Sequence, residues 1–356
     1  MHQPPGKAIN KQQGVALLLI MMIVIVTGSS LVLATANYQN QRQAEQIDTL
    51  QDMNYAKEAL IAYALQHNAN YPGQGPGRLP CPDTDNDGVA EASCNDTVGQ
   101  YLGRLPEFAI LPSGSRYNFS NTNTGIDQQF WYAVTPAFHM TGTAAGLNTT
   151  TNPFFTIDGV GDSDGDAYND VVAVIFAPGE AVNGQTRVSN DADDYLEGDN
   201  QDGVNFIRND PAIASEYFND QFVTITRNEI VTAAAMKAAM DVKNSLDGFY
   251  DDGMNYIFYI SFFHPNCASA WNFFMNTYPR DNANTGMCIT QTEQQGYDSA
   301  LASYASAWYA GEAWDTVDSY NYVNATQATV TFTDCNIVFT INRNTGITRD
   351  RRDCND

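Results

Sequence analysis

The sequence predicts an α+β protein: a long N-terminal helix, membrane-spanning and then amphipathic, packed on an antiparallel β-sheet, with a helical, aromatic-rich insertion. Three patterns predict it. Residues 15–67 read as one unbroken helix, "VVAVIFAPG" (171–179) reads as a buried strand, and residues 329–356 alternate as strands do.

The helix comes first. Val15 to Ala36 contains no charged residue and is interrupted only by Thr27, Gly28, Ser29, Ser30 and Thr35. At about 1.5 Å per residue the segment is roughly 33 Å long, enough to cross a bilayer core, and an ordinary secretory signal would be shorter. Lys7 and Lys11 precede it and no acid occurs before Glu45, so residues 1–14 are expected in the cytoplasm and 68–356 across the inner membrane as a periplasmic globular domain. Beyond Ala36 the pattern does not stop. Ile47, Leu50, Met53, Ala56, Leu60, Ile61, Ala64 and Leu65 recur at steps of three and four, with no Gly or Pro between Ser30 and Tyr71.

A basic leader ending in Gly14, an apolar helix starting at Val15 and an amphipathic continuation resemble the class III signal and N-terminal helix of type IV pilins and type II secretion pseudopilins. The resemblance implies that a prepilin peptidase cuts between Gly14 and Val15 and methylates the new N-terminus. It also implies that Gly28 sits where such a helix loosens when subunits pack together. One position departs from the family. The fifth residue after the expected cut is usually Glu and is here Leu19. A carboxylate in lipid is costly without a partner, so its loss fits a subunit that never makes that contact. In this respect the chain is similar to the large pseudopilin at the filament tip.

The remaining part, about 290 residues, suits one large domain or two small ones. Residues 68–128 are rich in Pro, Gly, Asn and Asp and should form turns and short strands. "YLEGDNQDGVNF" and "DQFVTITR" read as a turn and a further strand. Ile230, Ala234, Ala238, Val242, Leu246 and Phe249 then recur at helical spacing, and the stretch to Tyr322 carries Trp271, Phe273, Phe274, Tyr304, Trp308, Tyr309 and Trp314. Aromatics so placed are more often core than ligand platform. Val330, Phe332, Ile337, Phe339 and Ile341 return the chain to the sheet, which makes 229–322 an insertion.

The chemistry-bearing residues are carboxylates and cysteines. "DTDNDGVAE" places Asp83, Asp85, Asp87 and Glu91 at positions 1, 3, 5 and 9, and "DSDGDAYND" places Asp162, Asp164, Asp166 and Asp170 at the same four. Alternate carboxylates can wrap a hard cation such as Ca²⁺. Neither loop completes an EF-hand: position 12 of the first is Cys94, and the second lacks Gly at position 6. A solvated acidic turn is the alternative. The resemblance favours Ca²⁺, which pseudopilins often need for their fold. "DADDYLEGDNQD" is too irregular to assign. Six cysteines suit an exported chain, and their spacing pairs Cys81 with Cys94, Cys267 with Cys288 and Cys335 with Cys354, one of 15 connectivities. Zinc is disfavoured: no C-x-x-C occurs, and His2, His67, His139 and His264 are scattered.

A net charge of −24, from 41 acids against 17 Lys and Arg, argues against nucleic acid as a partner. "GDSDG" (161–165) satisfies G-x-S-x-G, but a Gly-rich turn precedes it and an acidic stretch follows, where a nucleophile elbow needs a strand and a helix. No other catalytic signature is present, and the chain is not expected to be an enzyme. The expected function is that of a minor pilin or pseudopilin in a type IV pilus or type II secretion filament, at the tip or the cell surface. Its partners would be like subunits, the prepilin peptidase and the inner membrane. The alternatives are a membrane-anchored periplasmic binding protein or tip adhesin, and an exported calcium-stabilised enzyme.

Overall fold

A computed structural model of the chain describes residues 12–94, 101–119, 129–140, 147–158, 160–161, 170–182, 184–208, 218–251, 301–302, 304–324, 327–333, 335, 337–342 and 344–350. They fall into two compact units, Met1–Gln51 and Asp52–Asp356. The protein is of the α+β class.

The first helix, α1 (Gln12–Asn70), is 59 residues long. Within the first unit every side chain from Leu18 to Val26 is 56–66% exposed. The polar residues that follow satisfy themselves: Thr27 Oγ1 donates to Ile23 O at 2.7 Å and Ser30 Oγ to Thr27 O at 2.9 Å. Such back-bonding lets a hydroxyl sit in a helix without a solvent partner. Among the described residues no helix is long and apolar enough to cross a membrane.

In the second unit the same helix changes character. Met53, Ala56, Leu60, Tyr63, Ala64 and His67 are fully buried, at steps of three and four. All but His67 belong to one core cluster with Tyr132, Val172, Ile230, Ala234, Phe332 and Phe339. The helix closes with Tyr71 N donating to His67 O at 2.8 Å, and the chain turns at Pro72-Gly73.

Among the described residues thirteen short strands follow in chain order: β1 (Leu102–Arg104), β2 (Phe108–Ile110), β3 (Arg116–Asn118), β4 (Trp131–Val134), β5 (Thr156–Ile157), β6 (Val160–Gly161), β7 (Val171–Ala177), β8 (Asn205–Phe206) and β9 (Gln221–Thr226), then β10 (Asp318–Asn324), β11 (Gln327–Phe332), β12 (Ile337–Asn342) and β13 (Gly346–Arg349). The central sheet has the order β1-β4-β7-β9 and is antiparallel throughout. All of β7 is buried. Val172 and Ile175 join the core cluster containing α1, and Val174 and Phe176 join a second one with Trp131, Phe155 and Phe206. A strand covered on both faces reads as a continuous apolar run, which is why "VVAVIFA" does not alternate.

Helix α2 (Arg227–Asp251) starts directly after β9. Glu229 Oε2 accepts from Thr226 N at 2.9 Å while Glu229 N donates to Thr226 Oγ1 at 3.4 Å, a reciprocal cap on the first turn. Ile230, Ala234, Ala238, Val242 and Leu246 are buried, as their spacing predicts. Trp308 and Tyr309, in the short helix α3 (Ala307–Gly311), and Trp314 are core residues.

The C-terminal region departs from expectation. Its described residues form not a part of the central sheet but a separate antiparallel meander, β10-β11-β12-β13. That sheet begins at Asp318, inside the stretch expected as a helical insertion. The strand "DSYNYVN" is polar enough to hide from a search for apolar alternation. Trp271, Phe273 and Phe274 lie outside the described residues.

Candidate metal centre

The first acidic loop is built on the path between Cys81 and β1. Asp83 and Arg104 pair as an antiparallel bridge, with Asp83 N to Arg104 O at 2.9 Å and Arg104 N to Asp83 O at 2.7 Å. The approach demands glycine next door: a Cβ on Gly103 would lie 2.6 Å from Asp83 O.

From this anchor the loop wraps around the Asp83 carboxylate. Oδ1 accepts from Asn86 N at 2.7 Å and Asp87 N at 3.3 Å, and Oδ2 accepts from Gly88 N at 2.8 Å. The wrap needs left-handed backbone at Asn86 (φ 63°) and Gly88 (φ 83°), and Asn and Gly are the residues that tolerate it. Burial pushes the Asp83 carboxyl above its ordinary pKa, against the pull of these three N–H groups. Glu91 closes the loop from the far side: its Oε1 accepts from Thr84 N at 3.2 Å and Thr84 Oγ1 at 2.7 Å.

Carboxylate oxygens of Asp83, Asp85 and Glu91 come within 4.8 Å of one another. At that separation two like charges repel by roughly 3 kcal/mol at an effective dielectric constant of about 20. A hard dication would turn the repulsion into coordination. Gly88 stands at position 6 of the pattern, and Val89 at position 7 has a main-chain carbonyl of the kind Ca²⁺ loops use. Asp87 is not one of the converging three; its Oδ1 accepts from Val89 N at 2.7 Å. The donor set is all oxygen, fits Ca²⁺, and lacks the bidentate acid at position 12. There Cys94 is bonded to Cys81 instead, which ties the loop's two limbs together.

The second loop is placed only at its end. Asp162, Asp164 and Asp166 lie outside the described residues, as does Ser163 of "GDSDG". Asp170 is buried at the foot of β7, where its Oδ2 pairs with Arg227 Nη1 at 3.2 Å. Arg227 also donates to the carbonyls of Thr151 and Thr149.

Other charged groups emerge only from the fold. Beside the first loop lies a cavity of about 390 Å³, lined by Asp83, Thr84, Arg104, Asp191, Asp193 and Asp202 among others. Arg104 is buried between two rings, 4.2 Å from the Trp131 centroid and 4.1 Å from that of Tyr195. The irregular third acidic cluster supplies Glu197, which is buried against Asp220. Asp220 Oδ2 accepts from Glu197 N at 2.8 Å and Asn200 Nδ2 at 3.0 Å. Burial, with the charge of Glu197 beside it, pushes the Asp220 carboxyl up to about 8. Arg104 and Asp220 carry no local motif, and contacts distant in sequence place them.

Of the expected disulfides, Cys81–Cys94 is formed. Cys335 is also disulfide-bonded; Cys354, Cys267 and Cys288 lie outside the described residues. Gly14 and Val15 lie in the first turn of α1. No protein-family model, curated protein or solved structure matches the chain.

Proposed function

We propose that the chain is a minor pilin or pseudopilin subunit, anchored in the inner membrane by α1 after cleavage between Gly14 and Val15 and placed at a filament end. One observation carries the reading. A single helix runs unbroken from Gln12 to Asn70 with its early apolar side chains more than half exposed and its later ones fully buried in a globular unit. Nine consecutive exposed large hydrophobics, Leu18 to Val26, need a partner other than water. Lipid before assembly and the helices of like subunits afterwards would both serve. The back-bonded hydroxyls of Thr27 and Ser30 suit such a medium. A Cβ on Gly28 would meet nothing within 4 Å, so packing with the described residues does not require glycine there. That leaves room for a neighbouring helix.

The first acidic loop would hold Ca²⁺ through Asp83, Asp85 and Glu91. The bound ion would neutralise their charge and fix the limb that leads from α1 into the central sheet.

N-terminal sequencing of the mature protein tests the anchor and the processing together. An N-methylated Val15 is expected, and Gly14→Asp should leave the precursor uncut; an intact Met1, or a cut after Ala34 or Ala36, overturns the reading. The end position follows from Leu19, and quantitative mass spectrometry of sheared filaments should find the chain in low copy number.

A further inference from the structure

We propose that Cys81, Cys94 and His139 form a binding site for a thiolate-seeking divalent cation, Zn²⁺ by the chemistry of its donors, whenever the Cys81–Cys94 disulfide is reduced. The inference is independent of the calcium loop and of the pilin reading. Both sulfurs and an imidazole nitrogen of His139 lie within 4.8 Å of one another. All three residues are buried: Cys81 is 0%, Cys94 5% and His139 1% exposed.

Their proximity does not depend on the disulfide. His139 and Leu79 form a parallel bridge, Leu79 N donates to Phe138 O at 2.7 Å, and Arg78 Nη1 donates to His139 O at 3.3 Å. The imidazole is therefore fastened to the segment that carries Cys81 two residues later. The limb carrying Cys94 is held separately, by the Val89–Phe108 bridge and by Ala90 N donating to Phe108 O at 2.8 Å. Breaking the S–S bond leaves both anchors in place.

The chemistry balances. A dithiol reductant passes two electrons and two protons to the disulfide, giving two thiols and the cyclic disulfide of the reductant. Zn²⁺ then displaces both thiol protons to solvent, and the two thiolates cancel its charge. Zinc takes sulfur at about 2.3 Å and imidazole nitrogen at about 2.0–2.1 Å in a tetrahedral shell. Donor atoms in such a shell are roughly 3.3–3.8 Å apart. Side-chain rotation covers the difference, and water supplies the fourth ligand. The metal would take over the work of the disulfide, holding the two ends of the acidic loop together in a chain not yet oxidised.

The absence of C-x-x-C and the scatter of the histidines disfavour zinc in the sequence. The fold removes the second objection by folding His139 onto the two cysteines.

The test uses the full-length, detergent-solubilised protein, reduced with a phosphine and titrated with Co²⁺ as a spectroscopic substitute, then with Zn²⁺. A thiolate-to-cobalt charge-transfer band saturating at one equivalent is expected in the reduced protein, absent from the oxidised one and bleached by Zn²⁺. His139→Ala should weaken binding at least tenfold, and Cys81→Ser with Cys94→Ser should abolish the band. Cobalt on the carboxylates gives no such band, so the acidic loop does not confuse the result. If the reduced His139→Ala protein titrates like the reduced parent, or the double serine variant keeps the band, the proposal is wrong. If the reduced chain loses its near-ultraviolet circular dichroism, Zn²⁺ alone should restore it in the parent and not in His139→Ala; failure to restore it also overturns the proposal.

Discussion

Glu312 is 3% exposed, and its two oxygens accept from Gly75 N at 3.0 Å, Arg78 Nε at 3.1 Å, Arg78 Nη2 at 2.7 and 2.9 Å, and Leu147 N. Burial works to raise its pKa, but the hydrogen bonds and charge of Arg78 overcome that and hold it below the ordinary carboxylate value. Glu312→Gln leaves Arg78 buried with its charge uncompensated, at a cost of about 3–5 kcal/mol. Replacing the pair together, Arg78→Met with Glu312→Leu, should cost less than either single change, and denaturant midpoints measure both. Two other buried residues set the pH response. Burial, only partly opposed by the 2.6 Å contact of Nε2 with Gln74, lowers the His67 pKa to about 4. The unfolded chain therefore takes up the His67 proton first, and stability falls as pH drops from about 6.5 towards 4, by on the order of 3 kcal/mol in full. Asp220 runs the other way. Its raised folded-state pKa makes its contribution complete below the ordinary Asp value and lost as pH rises through about 8. Between about pH 4 and 6.5 the two slopes oppose each other, so the parent should fall in stability chiefly above about 6.5, while His67→Gln should uncover the Asp220 fall across the acid range and Asp220→Asn the His67 rise; thermal melts across pH measure all three.

At the scale of elements, α1 behaves as two helices in one. Leu60 is fully buried, so Leu60→Ala should cost about 2–5 kcal/mol. Ile47, on the same predicted stripe, is 64% exposed, and Ile47→Ala should change the unfolding midpoint of the globular unit by no more than about 0.5 kcal/mol. Equal losses at the two positions would contradict this division. The spacing of three and four reveals the helix but not where its cover begins, because Ile47 and Leu50 continue the stripe that starts to be buried only at Met53. The same limit governs the strands. β7 is legible as a run of seven apolar residues and β11 and β12 because six residues each carry a period of two, whereas β1, β2 and β3 have three residues each, too few for either signal. In the acidic loop the spacing identifies the carboxylates but not their division of labour. Asp85 and Glu91 converge on Asp83, while Asp87 turns to the main chain of Val89, and that depends on backbone at Asn86 and Gly88 that spacing alone does not fix. His139 and Arg104 were illegible for a simpler reason: each acquires its neighbours through β-bridges to distant segments.

For the molecule as a whole, a net charge of −24 makes every cation a stabilising ligand in principle, and the loop at Asp83 would make one of them specific. Chelation should lower the melting temperature, and Ca²⁺ at about 100 times its Kd should restore about 2.7 kcal/mol. Asp85→Ala with Glu91→Ala should reproduce the chelated state, and sodium chloride at matched ionic strength should not rescue it. A melt unmoved by excess chelator would leave the loop a solvated turn. The Cys81–Cys94 bond has one more consequence, for a chain under tension. Force applied between α1 and the sheets beyond β1 would travel through the sulfur bridge, bypassing the twelve residues it encloses. About 40 Å of chain is thereby withheld from stretching. A pull that peeled the helix away would leave the acidic loop slack, its carboxylates still gathered, and the chain mechanically shorter than its sequence.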